Sequence, residues 1–136
     1  MNTIALLNKL KNFENFIGVF PKDKIPKVVN MREYGFIVNT HPSKLPGEHW
    51  LAIYCKNGRG EYFDSFGNAP KHKEVFRFLQ RNCKNGFVYN KNRFQSYISS
   101  TCGLYCALYL ACRFKNVSAS AFAKLFCGKT LINDFL

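Results

Sequence analysis

Acidic residues are scarce in this chain. Eight Asp and Glu stand against 20 Lys and Arg in 136 residues, a formal charge of +12. That imbalance points to an acidic partner. Nucleic acid comes first, because phosphates reward many weak basic contacts through counterion release. A basic surface that keeps the protein soluble is the plainer alternative. Long hydrophobic runs are also missing. No stretch approaches a membrane-spanning length, and the opening MNTIALLNKLKNF has only a short apolar run broken by Lys9 and Lys11, unlike a signal peptide. The chain is therefore expected to stay inside a cell, unsecreted, with its thiols reduced. There is no CxxC pair, internal repeat or low-complexity tract. The six cysteines (Cys55, Cys83, Cys102, Cys106, Cys112, Cys127) are unevenly spaced and are expected to be mostly free. Cys102 and Cys106 lack a His pair at zinc-ligand spacing, so no metal site is expected.

What is present is an apolar chain. Hydrophobic residues make up 47% and aromatics 16%, too much for disorder and enough for one core. A single domain over residues 1–136 is expected. Apolar spacing predicts an amphipathic helix over residues 3–16, and Pro21 and Pro26 mark a loop. GFIV (35–38) reads as a strand. HWLAIYC (49–55) and EYFDS (61–65) flank an Asn-Gly pair and read as a hairpin. HKEVFRFLQRN (72–82) reads as a helix with Val75, Phe76 and Leu79 on one face, and 87–89 as a short strand. CGLYCALYLACR (102–113) reads as a buried helix, and 118–126 as a last helix ended by Gly128. An antiparallel hairpin with separate helices defines the α+β class.

One set of residues can carry chemistry. A cysteine nucleophile needs a lowered thiol pKa, a base in reach and donors for the oxyanion. Cys102 follows the polar run Ser99-Ser100-Thr101 and opens an apolar helix, whose N-terminal partial positive charge favours thiolate. Gly103 lets a substrate backbone approach. Cys106 and Cys112 fall inside the helix, where a thiol is ordinarily a small buried hydrophobe. That reading also serves for Cys102 taken alone. His49 opens a strand beside Trp50, and the hairpin brings it near Asp64, a carboxylate able to fix the imidazole tautomer. His41, in a Pro-rich loop, and His72, opening a charged helix, are rival bases that look solvated. Glu61 is a weaker acid candidate at the turn. Gln95, seven residues before Cys102, could add a side-chain N–H to the oxyanion site, or could be an ordinary loop residue. Trp50 could shield the imidazole or simply fill the core.

At these residues the chain resembles the adenovirus-type cysteine proteases, the virion maturation enzymes found also in Maverick/Polinton elements and virophages. FIGVFPKDKIP, GFIVNT and GEHWLAIY look like the family's start up to its His-Trp pair. EYFDSFG looks like its acidic strand, and QSYISSTCGLYCALYL like its glutamine, seven-residue step and Cys-Gly helix start. The resemblance covers roughly residues 15 to 115, and the order His, acid, Gln, Cys sets it apart from papain-type order. It implies an adenain or ubiquitin-like-protease fold, a central mostly antiparallel sheet flanked by helices with the nucleophile at a helix N-terminus. It assigns Cys102 as nucleophile, His49 as base, Asp64 as orienting acid and Gln95 as oxyanion donor. It implies cleavage of capsid or virion precursors, often beside glycine, by a monomer acting in the virion, nucleus or cytoplasm. DNA and a viral peptide are the implied activators, the peptide bridging to a cysteine near the position of Cys83, which otherwise reads as an ordinary exposed cysteine after a helix. The long C-terminal part of adenovirus enzymes is expected to be mostly missing from this chain, which weakens both activator expectations. Ubiquitin-like-protein deconjugation or acyl transfer by the same triad, and a non-enzymatic nucleic-acid-binding module, are the alternatives.

Overall fold

The computed structural model describes residues 3–40, 49–91, 93–94 and 102–126. Helix α1 (Thr3–Leu10) leads into strand β1 (Phe16–Pro21) and a 3-10 turn (Lys22–Lys24). Strands β2 (Glu33–Asn39), β3 (Trp50–Lys56) and β4 (Arg59–Phe63) follow, then helix α2 (Lys73–Asn82), strand β5 (Phe87–Tyr89), helix α3 (Cys102–Phe114) and helix α4 (Ala119–Phe126). The five strands form one sheet in the order β1-β2-β3-β4-β5. The central three are antiparallel, as expected, and the two outer pairs are parallel. The sheet is therefore mixed.

Strand β3 shows why the sheet has two covered faces. Its first six residues, WLAIYC, are all buried. Trp50, Ala52 and Tyr54 join one core with α3, α4 and Leu10 of α1, while Leu51, Ile53 and Cys55 join a second with α2. Side chains alternate along a strand, so a strand buried on both faces reads as one apolar run. The β3–β4 turn is the expected one: Asn57 and Gly58 both have positive φ, 54° and 76°, as a two-residue hairpin of this twist requires.

Two local expectations differ from the structure. The first helix ends at Leu10 rather than Phe16, because Phe16 pairs with Gly35 and starts β1. Nothing in the residues signals that strand: Gly18 interrupts it and the pairing register shifts between Phe16 and Val19. On α2 the inward face is Val75, Phe78 and Leu79; Phe76 is 41% exposed. Gly128 lies outside the described residues.

The first core rests on an aromatic cluster. Phe122 of α4 packs on Phe63, Phe94 and Tyr109 with ring centroids 5.2–5.6 Å apart. Phe122→Ala should lower stability by about 3–5 kcal/mol. Urea unfolding should show this as a lower midpoint.

Candidate active site

His49 directly precedes β3 and Asp64 directly follows β4. The antiparallel register, which pairs Ala52 with Phe63, brings both residues out at the same end of the hairpin. His49 Nε2 lies 2.9 Å from Asp64 Oδ1. The Asp64 side chain is 3% exposed and the His49 side chain 21%, so the carboxylate is walled in while the ring keeps access to solvent. A carboxylate only accepts hydrogen bonds. Nε2 must therefore carry the proton, which makes Nδ1 the basic nitrogen of the neutral ring.

Each member is held by further bonds. The backbone N–H of Phe66 donates to Asp64 Oδ1 at 2.9 Å. Asn90, just past β5, accepts from the Asp64 N–H at 2.9 Å and donates to the Asp64 carbonyl at 2.6 Å. The His49 carbonyl accepts from the backbone N–H of Thr40 at 2.9 Å and from its hydroxyl at 3.0 Å. The Phe66 ring stacks on the imidazole, centroids 4.8 Å apart and planes 18° from parallel. The ring against the histidine is thus Phe66, while Trp50 is buried in the α3-side core. Asn90 and Phe66 carry no local signature in the sequence. Only the pairing of β5 with β4 and the turn after Asp64 bring them here.

Helix α3 starts at Cys102, as expected. One turn later, the Cys106 thiol donates to the Trp50 carbonyl at 3.3 Å. Residue 102 precedes residue 106 by about 6 Å of helix rise. The helix start therefore lies beside the strand that His49 opens. The side chain of Cys102 and all of Gln95, His41 and Cys127 lie outside the described residues.

Other candidates fall elsewhere. Glu61 accepts both donors of a bidentate Arg113 pair, at 2.8 and 2.9 Å, and the Tyr109 hydroxyl, so it anchors α3 to β4. His72 is half-buried rather than solvated. Burial first, then Lys22 and Lys71, hold its pKa below the usual histidine value. Cys83 is 6% exposed and packs in the α2-side core, not on the surface after a helix as expected. Among the described residues, no group of three or more His, Cys, Asp or Glu is placed to hold a metal ion. No described helix is long and apolar enough to cross a membrane.

The chain's homologues and structural neighbours are adenain-like and Ulp-type cysteine proteases, whose fold matches its five-stranded mixed sheet flanked by helices. The chain is 34% identical over 104 residues to the cysteine protease S273R of African swine fever virus, covering 65% of this chain and 37% of that one. It is 30% identical over 120 residues to the protease of bovine adenovirus 2, covering 78% of this chain and 58% of that one. The chain thus spans less than two thirds of the length of the curated relatives it matches. A crystal structure of the swine fever virus pS273R protease superposes with a TM-score of 0.62 at 26% identity, covering 76% of this chain and 42% of that one. The SUMO protease Ulp1 shares the fold, with a TM-score of 0.57 at 11% identity over 87% of this chain and 68% of that one. No protein-family model matches the chain.

Asn90→Ala leaves the buried backbone of Asp64 without two partners. Stability should fall by about 1–3 kcal/mol, read by chemical denaturation.

Proposed function

We propose that this chain is the catalytic region of a cysteine endopeptidase acting on viral precursor proteins. The observation that carries the reading is the 2.9 Å His49–Asp64 bond, set one strand residue from the carbonyl that holds Cys106 of α3. The Cys102 thiolate attacks the scissile carbonyl, and the amide nitrogen leaves with a proton from His49. The resulting thioester is cleaved by water that His49 deprotonates. Asp64 keeps the imidazole in the tautomer whose Nδ1 exchanges protons, and it stabilises the imidazolium. Gln95 and the backbone N–H of Cys102 hold the oxyanion. Every step uses side chains and backbone of this chain, with no metal.

The viral relatives at 30–34% identity support precursor cleavage, and cleavage beside glycine is the expected specificity. A second reading has support of its own, because several swine fever virus relatives are named SUMO-1 cysteine proteases. It makes a ubiquitin-like conjugate the substrate. Turnover of glycine-containing precursor peptides against a panel of such conjugates separates the two. In either case Cys102→Ala and His49→Ala should reduce turnover to background. Gln95→Ala should slow it by ~10²–10³, with Asp64→Ala between these limits. Cleavage by the Cys102→Ala chain would refute the assignment.

Nucleic acid is the proposed activator or scaffold. The 3-10 turn packs against α2, which puts exposed Lys24 and Lys27 near exposed Lys73, Arg77 and Arg81. Arg81 and Asn82 donate to the Lys27 carbonyl and tie the two segments together. Duplex DNA should bind with an affinity that falls linearly with salt on a logarithmic plot. Charge reversal at Arg77 and Lys73 should flatten that slope. An unchanged slope would remove this face from the interaction. The protein is proposed to act as a monomer within the virion or the infected cell.

A further inference from the structure

Two buried thiols, Cys55 and Cys83, lie near the other end of β3 and take no part in the active site. Cys55 is the sixth residue of that strand after His49, about 20 Å away at strand rise. Its cross-strand partner on β4 is Gly60. Cys83 caps the C-terminus of α2, with its N–H bonded to the Leu79 carbonyl at 2.9 Å. A Cβ placed on Gly60 would lie 2.4 Å from the Cys83 sulfur and 3.3 Å from its Cβ. The missing side chain of Gly60 is thus the slot that Cys83 fills, and the slot is directly opposite Cys55. The two thiols are buried in one cluster and are not bridged.

We propose that Cys55 and Cys83 are a reversible disulfide site, oxidised by peroxide, which staples the β3–β4 hairpin to the end of α2. With Cys83 filling the slot directly across from Cys55, such a bond closes mainly by side-chain rotation, without rebuilding the backbone. Their environments divide the work. The neighbouring Cys83 thiol outweighs burial and favours the Cys55 thiolate. Cys83 is correspondingly held protonated. The Cys55 thiolate attacks one peroxide oxygen. The O–O bond breaks, the departing hydroxide takes a proton to become water, and Cys55 becomes a sulfenic acid. The Cys83 sulfur then attacks the Cys55 sulfur, and the S–O bond breaks. The second oxygen leaves as water with the Cys83 proton. Two thiols are oxidised and one peroxide is reduced to two waters. The bridge uses neither Cys102 nor His49 and stands whether or not the protease reading does.

The test is peptide mapping of the full chain after dilute hydrogen peroxide, with free thiols blocked before non-reducing digestion. It is run on the unaltered chain and on Cys102→Ala. The expected result in both is a peptide containing Cys55 linked to one containing Cys83, undone by dithiothreitol. The oxidised chain should also melt at a higher temperature than the reduced one, a shift that Cys83→Ala abolishes. If Cys55 and Cys83 stay alkylatable on denaturation while other cysteines oxidise, or if either pairs with a different cysteine, the proposal is overturned. Absence of the link in Cys102→Ala alone would overturn it too.

Discussion

The His49–Asp64 hydrogen bond is the constraint to which the rest of the site answers. A nearly buried carboxylate is costly unless its charge and its backbone are satisfied. Here two donors, the imidazole and the Phe66 N–H, converge on one oxygen, and Asn90 takes both backbone groups of the same residue. These partners come from β3, from the turn after β4 and from the end of β5. The sheet therefore has to assemble in its observed order before the aspartate can be buried, and the site becomes a consequence of the topology.

Helix α3 is fixed to that sheet at two places. Near its start, Cys106 bonds to the Trp50 carbonyl. Near its end, Arg113 grips Glu61 bidentately, lies over the Tyr54 ring at 4.6 Å and bonds to the Val117 carbonyl at 3.1 Å. Tyr109 adds a bond to the same Glu61, and Tyr54 one to Glu33. Hydrogen bonds at both ends oppose sliding of the helix along β3. Such sliding would move residue 102 relative to His49, and in a thiol–imidazole pair a shift of an ångström matters.

Much of this was legible in the residues. The Asn-Gly turn fixed the hairpin, the unbroken apolar run WLAIYC marked a central strand, and 102–113 stood out as a buried helix. These are local signals with one physical reading each. His49 and Asp64 met because the turn between them sets the register. What the residues did not reveal depends on distant pairing. Strand β1 carries Gly18 and an irregular register, so its period is broken. Asn90 looks like any loop asparagine until β5 aligns beside β4. Phe76 and Phe78 have the same chemistry, and only the docking of α2 decides which is buried. Cys83 was misjudged as exposed because the space that receives it is made by a glycine 23 positions earlier. Gln95 and the Cys102 side chain lie outside the described residues, so their roles rest on spacing and on the family resemblance of the residues around them.

The central claim is that His49, oriented by Asp64, makes the thiol of Cys102 reactive. The most direct test is the rate of Cys102 alkylation as a function of pH, followed by mass spectrometry in the unaltered chain and in His49→Ala. The account predicts selective alkylation of Cys102 well below the value of about 8.5 at which an ordinary thiol titrates, and a shift of the profile to higher pH when the imidazole is removed. Superimposable profiles for the two chains would contradict it.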